Sequence, residues 1–509
     1  MAVGLLFVYI LASGFLLLFG LNCYLMLGLF LRRYDTCAHG CSVDLGEVLP
    51  TEQWPKVAVQ LPIYNERHVV ARSIKAAAGL DYPLDRLEIQ VLDDSTDETS
   101  AIVAETIREL QEQRPELRIF HITRVKRDNF KAGALKHGMA QSDAEYFAIF
   151  DADFTPLPGF LRHTLQPFLA DPTVGFVQAR WGHINEGDSL LTRAIAIGID
   201  GHFVIEQSAR AWNGLMLNFN GTAGVFRGSA VRAAGNWEGD TLTEDMDLSY
   251  RLQLAGYRGR FVFDEVVPGE IPNDISNFKA QQFRWAKGSI QTARKILPRV
   301  LTSSLPLFVK FQAAMHLLHY LIHPAMLTLA LLALPVLTHF GDRALGWVVI
   351  PVAFLLVLSL FAPSLMYLTA IRFSGRRSNP LIIPLLTVLG VGLALENTRA
   401  VVEAILGRKS PFIRTPKAGD LGKKVSYRSN FSHIQFVELA LGLYCILSFV
   451  VYLQYAQYII TPFIGIYAAG FLFVSTRAIS DYLLHGGETR GRFSLIHPRR
   501  SLPTTSKPK

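Results

Sequence analysis

The sequence predicts an α/β domain with a mainly parallel sheet, attached to an α-helical membrane domain. Three observations support this fold class. The 509 residues exceed one ordinary domain, half of them are hydrophobic, and only 18% are charged, against roughly 25% in soluble proteins. Residues 51–290 alternate strand-like and helix-like segments. Uncharged stretches long enough to cross a bilayer lie on both sides of that region.

The first uncharged stretch covers residues 1–31 and is followed by Arg32 and Arg33. It is longer than the roughly 7–15 apolar residues of a signal-peptide core, and it has neither a basic start nor a small-residue cleavage pattern. We therefore expect a retained transmembrane helix over 1–31.

The C-terminal half contains three more uncharged stretches, 311–341, 344–371 and 439–476. The last has a polar break at 454–457, which suits a hairpin of two spans. Together with 1–31, the sequence predicts five spans.

The segment 381–406 is apolar at first but carries Glu396, Arg399 and Glu403 on one helical stripe. A spanning helix would have to pair these charges inside the bilayer. Both flanks are basic, which places both on the cytoplasmic side. We therefore expect an interfacial or re-entrant segment.

The formal net charge is +8, and much of the basic excess lies beside the predicted spans rather than in a nucleic-acid-binding pattern. The positive-inside rule places the N-terminus outside and residues 32–310 inside. Four cysteines exclude a disulfide scaffold, and Cys37, His39 and Cys41 do not complete a four-ligand zinc site.

The predicted strands of the α/β region are 57–62, 88–92, 118–122 and 146–150, and helical patterns run up to Ala78 and over 98–113. Ligands of parallel sheets bind outside the carboxyl ends of the strands. The residues at those ends are therefore the candidates for a functional site.

Aspartates stand at two of these strand ends. Asp93 and Asp94 end the second strand, although Ser95, Thr96 and Asp97 also fit a simple helix cap. Asp151 and Asp153 follow the fourth strand, where two carboxylates on one side of the backbone would suit Mg²⁺ or Mn²⁺. An ordinary turn is the alternative for this second pair.

Two polar segments follow further along the chain. The segment 218–224 is polar and contains glycine, which allows close approach of the backbone to a ligand. Thr243, Glu244 and Asp245 are either a helix start or an acidic site.

A further motif consists of Gln281, Arg284 and Trp285. It reads either as part of a site or as an amphipathic helix at the membrane interface.

Taken together, these segments resemble the inverting family 2 glycosyltransferases, in the membrane-embedded branch that holds cellulose, mannan, hyaluronan and chitin synthases. The cellulose synthase-like mannan and glucan synthases are the most similar. The blocks that carry the resemblance lie at 62–66, 91–97, 131–135, 219–224, 243–247 and 281–285. The resemblance implies a GT-A-type, Rossmann-like cytoplasmic domain.

The family's motifs imply roles for individual residues. Donor binding falls to Asp93, Asp94, Lys131, Asp151, Asp153, Gln281 and Arg284, with Mg²⁺ or Mn²⁺ held by Asp151 and Asp153. The catalytic group is Asp245, with Glu244 and Asp247 beside it. The acceptor side takes Trp285, Asn220, Gly221 and Thr222. Phe412, Thr415 and Lys417 resemble a gating loop, from whose pattern Arg414 departs.

Sugar-transfer chemistry gives these roles a physical basis. A sugar hydroxyl is a poor nucleophile, so a carboxylate base within hydrogen-bond reach would take its proton. Like charges at Glu244 and Asp247 could raise the pKa of Asp245, which would suit a base.

The domain division implied by the resemblance is a transmembrane helix (1–31), a catalytic domain (32–305), membrane and interfacial helices with a gating-like loop near 408–430 (306–478), and a basic cytoplasmic tail (479–509). The expected location is the plasma (inner) membrane. The expected reaction is processive synthesis and export of β-1,4-glucan, β-1,4-mannan or glucomannan from UDP-glucose or GDP-mannose.

The partners implied are the nucleotide-sugar donor, the growing polysaccharide and the bilayer, with a homo-oligomer or an accessory subunit conceivable and nucleic acid excluded. Two alternatives stay open, namely a non-processive enzyme that adds one sugar to a lipid, as glucosylceramide synthase does, and a transporter with a regulatory domain. Aromatic residues of the spans could stack on sugar rings in a channel, although lipid or helix contact is the simpler reading for most of them: Tyr320, Phe354, Tyr367, Tyr444 and Tyr452.

Overall fold

A computed structural model describes residues 2–38, 49–408, 417, 419 and 433–486, with side chains described outside 2, 341–350, 352 and 484–486. The chain begins with a long apolar helix, α1 (Ala2–Cys37). The α/β region follows it, and the remaining helices come last. Phe412 and Thr415 lie outside the described residues.

The α/β region is built on one seven-stranded sheet. Its strands are β1 (Val57–Ile63), β2 (Leu87–Asp93), β3 (Ile119–Thr123), β4 (Tyr146–Ile149), β5 (Val174–His183), β6 (Gly224–Arg227) and β7 (Arg258–Gly269). The four predicted strands are confirmed, each to within one residue at either end.

Helices cover both faces of the sheet. They are α2 (Val70–Ala78), α3 (Thr99–Gln113), α4 (Phe130–Ala140), α5 (Phe160–Ala170), α6 (Leu190–Asp200), α7 (Ser208–Trp212), α8 (Gly228–Ala233) and α9 (Glu244–Leu254), with a π-helix at Gly201–Gln207 between α6 and α7. An apolar core lies on each face of the sheet. Buried β-branched and aromatic residues of the strands contribute to both cores, as is typical of parallel sheets covered on both faces.

The strand order is β3-β2-β1-β4-β6-β5-β7, and every pair is parallel except those of β6. The mainly parallel sheet is therefore confirmed. Because β6 runs in reverse, its first residue, Gly224, pairs with Ile149 at the end of β4. The segment 218–223 consequently lies at the same sheet edge as the residues that follow β1, β2 and β4.

The later helices are α10 (Ile275–Thr302), α11 (Leu307–Leu317), α12 (Ile322–Phe373), α13 (Ile383–Gly392), α14 (Ala394–Ile405), α15 (Ile434–Gln454) and α16 (Thr461–Gly486). Within the described residues, five helical segments are long and apolar enough to cross a membrane: Val3–Cys37, His319–Phe340, Ala353–Phe373, Ile434–Gln454 and Thr461–Leu483. This matches the predicted number of spans, and the polar break at 454–457 lies between α15 and α16.

The segment predicted to be interfacial or re-entrant forms two helices, α13 and α14, bent by 43°. Its charges are paired. Glu396 contacts Arg399, and Glu403 lies 2.8 Å from the Lys287 ammonium of α10. The bend fits a re-entrant segment or a broken sixth span, so its topology stays a prediction.

The helix α10 joins the two parts of the molecule. It packs on α14, and Lys279 forms a buried ion pair with Glu438 of α15 at 2.6 Å. Near the C-terminal end of α1, Phe30 is fully buried between Trp212 and Phe373. The motif 281–285 is thereby held between the sheet edge and the apolar helices.

Candidate active site

A cavity of about 250 Å³ opens at the sheet edge where β1, β2 and β4 end and the segment before β6 begins. Most of the predicted site residues line it, although they come from distant parts of the sequence. They are Asp94, Lys131, Asp151, Asp153, Asn220, Gly221, Glu244, Asp245, Gln281, Arg284, Trp285 and Lys417. The carboxyl edge of the sheet thus brings motifs from distant parts of the sequence together.

Three predicted residues do not line the cavity. Asp93 accepts hydrogen bonds from the Ser95 backbone N–H (2.9 Å) and the Ser100 hydroxyl (2.5 Å), and its other neighbour is His121. These bonds outweigh burial and lower the pKa of Asp93 to about 2. Asp93 therefore acts in the structure as a support for the turn that presents Asp94.

Thr222 and Asp247 are the other two. The Thr222 hydroxyl accepts a 2.9 Å hydrogen bond from the Asp151 backbone N–H, so it orients the turn after β4. Asp247 is fully buried and lies 2.7 Å from Arg251 and 3.1 Å from Lys295. Both residues support neighbours of the cavity rather than its surface.

Asp151 and Asp153 reach the cavity from a turn rather than from an extended strand, because β4 ends at Ile149 and the Phe154 N–H bonds the Asp151 carbonyl at 2.9 Å. The expected alternation of an extended backbone does not apply to them. Each carboxylate is paired with an ammonium group, Asp151 with Lys131 at 2.5 Å and Asp153 with Lys417. The two carboxylates of this turn therefore each bind a cationic side chain already.

Lys131 and Gly221 are bonded to each other and line the cavity. The Lys131 ammonium donates to the Gly221 carbonyl at 2.8 Å, and although burial opposes it, Asp151 keeps the pKa of Lys131 above its ordinary value. Gly221 has a φ of +83°, and a Cβ there would lie 3.1 Å from Asp245 Oδ2. Only glycine meets both demands without strain.

Glu244 and Asp245 occupy the first turn of α9, which confirms the helix start, and both side chains line the cavity. Burial raises the pKa of Asp245 to about 7, and the Glu244 carboxylate adds to that effect. Asp247 takes no part in it, because its charge is neutralised by Arg251 and Lys295. Asp245 is therefore suited to accept a proton near neutral pH.

Asp94 and Arg127 line one wall of the cavity, and Arg124 pairs with Asp94 without lining it. Arg124 Nε donates to Asp94 Oδ1 at 3.0 Å, and the Arg127 guanidinium lies 3.3 Å from the centre of the Tyr64 ring. Sequence reasoning did not single out these arginines, because an arginine in a loop carries no pattern of its own.

The described lining has more acidic than basic side chains. The acidic ones are Glu66, Asp94, Asp151, Asp153, Glu244, Asp245 and Glu270, and the basic ones are Arg127, Lys131, Arg284 and Lys417. This excess of carboxylates favours cations, and carboxylate oxygens are the ligands that Mg²⁺ and Mn²⁺ prefer.

A second acidic group lies outside the cavity. Glu238, Asp240 and Asp247 are close enough to share a metal ion. The Lys295 ammonium lies 2.6, 2.8 and 3.1 Å from their respective oxygens. This cluster therefore already holds an internal cation, the Lys295 ammonium group.

A larger cavity of about 580 Å³ runs among α1, α12, α13 and α16. It shares six residues with the first cavity, and these mark the junction between the two: Trp181, Ile199, Asn220, Thr243, Asp245 and Trp285. Of the five aromatic residues considered for a channel, Tyr320 and Tyr367 line this cavity. The other three do not line it. The Tyr444 and Tyr452 hydroxyls donate to backbone carbonyls of α12 at 2.7 and 2.8 Å, which is helix contact, and Phe354 is exposed on the helix surface.

Two buried polar atoms of residues that line the smaller cavity have no hydrogen-bond partner within the described part of the chain, Gln281 Oε1 and Trp181 Nε1. Trp181 stacks on Phe203 at 4.8 Å and lies 6.5 Å from the Trp285 ring. The site thus has two indole faces beside Asp245, of which sequence reasoning found only Trp285. Trp181 lies within β5, a strand that the sequence analysis did not place.

Comparison with known proteins gives matches to two family models, Glycosyl transferase family 2 over residues 58–231 and Glycosyl transferase family group 2 over residues 146–371. A probable glucomannan 4-beta-mannosyltransferase 7 of Oryza sativa subsp. japonica is 44% identical over 49% of this chain and 43% of that protein. Glucomannan 4-beta-mannosyltransferase 9 of Arabidopsis thaliana is 32% identical over 83% of this chain and 81% of that protein. In the strongest of these matches, the chain spans about half the length of the curated relatives.

A solved structure with the same fold is the mannosyltransferase PcManGT from Pyrobaculum calidifontis, in complex with GDP-Man and Mn²⁺. The TM-score is 0.53 at 21% identity, over 80% of this chain and all of that one. This likeness establishes the fold.

Fold and site together define a GT-A-type glycosyltransferase domain joined to apolar helices that fit a membrane protein. The chain belongs to glycosyltransferase family 2. Its relatives within the family are the cellulose synthase-like glucomannan 4-beta-mannosyltransferases.

Proposed function

We propose that the chain is a processive, inverting β-glycosyltransferase that extends a β-1,4-linked mannan or glucomannan. The product would pass into the cavity of about 580 Å³ among the apolar helices, called the membrane cavity below. GDP-mannose is the proposed donor, with UDP-glucose as a second donor for glucomannan. The names of the relatives support the mannosyl donor. We place the catalytic domain on the cytoplasmic side of the plasma membrane, in keeping with the basic residues that flank the predicted spans.

The observation that carries the proposal is the junction of the two cavities at Asp245 and Trp285. One cavity has the acidic and basic groups that a nucleotide diphosphate requires. The other lies among helices long enough to span a bilayer and has room for sugar units. A transporter with a regulatory domain has no use for a raised-pKa carboxylate between two such cavities.

The chain's residues account for each part of the transfer. Trp285 and Trp181 present indole faces on which the acceptor sugar can stack. Asp245 takes the proton from the attacking hydroxyl as its oxygen bonds the anomeric carbon. The bond from that carbon to the diphosphate breaks, and its electron pair leaves with the nucleoside diphosphate. Attack opposite an α-linked leaving group gives a β-linkage.

Arg284 and Lys131 supply positive charge on the donor side. Both line the cavity of about 250 Å³, called the donor cavity below, and Arg284 is buried near Asp151 and Glu244. Asp151 and Asp153 would hold a divalent ion, which when bound neutralises charge on the diphosphate leaving group. Mn²⁺ and Mg²⁺ both fit two carboxylate ligands.

The proposal is tested by the product. Purified full-length protein in lipid nanodiscs is given radiolabelled GDP-mannose, UDP-glucose or both, and the product is sized before and after β-1,4-mannanase digestion. We expect a long, mannanase-sensitive polymer from GDP-mannose. A single sugar attached to extractable lipid would contradict processivity and support the lipid-glycosylating alternative.

We expect Asp153→Asn to raise the metal concentration that gives half-maximal activity by about 10- to 100-fold, because a charged ligand is lost. Titration of Mn²⁺ into chelator-treated protein measures this. Asp143→Asn is the matched control, since Asp143 pairs with Lys56 on the surface and lines neither cavity. An unchanged metal response in Asp153→Asn would exclude Asp153 as a ligand.

A further inference from the structure

A polar network leads from the catalytic carboxylate into the membrane cavity, and the mechanism above does not use it. It is centred on Glu206, in the π-helix Gly201–Gln207. π-Helices are rare in proteins, and those that occur are often found at functional sites. Glu206 and His202, four residues apart, both line the cavity of about 580 Å³.

Glu206 is held from two sides. Its Oε1 accepts a hydrogen bond from Arg210 Nε at 3.0 Å and forms an ion pair with Nη2 at 2.9 Å, and the Arg210 side chain is fully buried. Its Oε2 lies 3.0 Å from His202 Nδ1. A buried arginine that bonds one edge of a carboxylate fixes the orientation of that group.

His202 connects Glu206 to the site. Asn220 Nδ2 lies 3.0 Å from His202 Nε2, and because an amide nitrogen only donates, this assigns the imidazole proton to Nδ1, where it is donated to Glu206. Asn220 lines both cavities and precedes Gly221, where a Cβ would lie 3.1 Å from Asp245 Oδ2. The network therefore begins beside the base and ends in the membrane cavity.

The arrangement leaves Glu206 able to accept more hydrogen bonds. A quarter of its side chain is exposed, and that surface borders the cavity. Each carboxylate oxygen can accept two hydrogen bonds, so two neighbouring hydroxyls can donate to the two oxygens together. Neighbouring hydroxyl groups are a general feature of hexoses.

We propose that Glu206 binds hydroxyl groups of the acceptor sugar on the membrane side of Asp245, and that His202 and Arg210 hold its carboxylate in place. The proposal rests on the proposed function and names a positioning residue for its acceptor. Its consequence is that acceptor affinity depends on Glu206 while turnover of the donor does not.

The test measures binding and donor turnover separately, with full-length protein in nanodiscs. The probe is β-1,4-linked mannohexaose, titrated without donor, and donor turnover is followed as hydrolysis of GDP-mannose without acceptor. We expect Glu206→Gln to weaken mannohexaose binding by about 10- to 100-fold, the effect of losing charge-assisted hydrogen bonds. Donor hydrolysis should stay at the wild-type rate.

Two further variants separate recognition from folding. Glu438→Gln removes the carboxylate of another buried ion pair, with Lys279, that lines neither cavity, so mannohexaose should bind to it as to the wild type. His202→Gln keeps the Arg210 pair and should weaken binding by about tenfold, which tests the network if Glu206→Gln fails to fold.

Unchanged mannohexaose affinity in Glu206→Gln, or in His202→Gln where that variant replaces it, would overturn the proposal. So would equal losses of affinity in Glu206→Gln and Glu438→Gln, because the effect would then be structural. A wild-type protein that binds mannohexaose at Glu206 but transfers no sugar would contradict the proposed function and leave this site standing.

Discussion

Asp245→Asn is expected to lower the rate of sugar transfer by about 10²- to 10⁴-fold, the usual contribution of a general base. The substitution keeps the shape of the side chain and removes its ability to take a proton. Donor binding should persist, because Lys131, Asp151 and Arg284 are unchanged. The measurements are transfer from GDP-mannose at saturation and equilibrium binding of GDP.

The pH dependence provides a second readout of the same residue. Burial and Glu244 raise the pKa of Asp245 to about 7, so the acid form predominates below that pH. Because only the carboxylate acts as a base, kcat/KM should fall about tenfold for each pH unit below 7 and level off above it. In Asp245→Asn the residual rate should lose this dependence.

Asp247→Asn is the matched control for both experiments. Asp247 lines neither cavity and pairs with Arg251 and Lys295, so its loss should lower the unfolding temperature while the pH profile of the folded enzyme stays the same. If Asp247→Asn instead lost activity with normal stability while Asp245→Asn kept it, the base would be misassigned.

Asp245 and Asp247 show how much of the site can be predicted from the sequence. A helix turns by about 100° per residue, so residues two apart point to nearly opposite sides. Once Thr243 is taken as the residue before a helix, Asp245 and Asp247 cannot both face one cavity. Asp93 and Asp94 differ for the same kind of reason, because neighbours on a strand point to opposite faces.

Other parts of the site could not be predicted, because they depend on packing. The reversed direction of β6 brings Asn220 and Gly221 to the carboxyl edge, and no local pattern in four residues reveals a strand's direction. Trp181 reaches the junction only because β5 lies beside β6. Glu206 and Arg210 did leave a signal, an acid and a base four residues apart in an apolar segment.

Arg284→Lys is the second change expected to have a large effect. Arg284 is buried, lines the donor cavity and lies near Asp151, Asp153 and Glu244. A guanidinium can bond two phosphate oxygens at once, which an ammonium group cannot do in the same geometry. We expect kcat to fall by about 10²- to 10³-fold, as when a donor that stabilises developing charge is removed.

The metal response distinguishes this effect from damage to the metal site. The positive charge of Arg284 repels a divalent ion held near Asp151 and Asp153. Arg284→Ala should therefore bind Mn²⁺ at least as tightly as the wild type. Its turnover should fall further than that of Arg284→Lys. Arg260→Lys is the control, because Arg260 pairs with Asp171 at 3.1 Å away from both cavities. Weaker Mn²⁺ binding in Arg284→Ala would show instead that the arginine organises the carboxylates, and its charge would then not act on the leaving group.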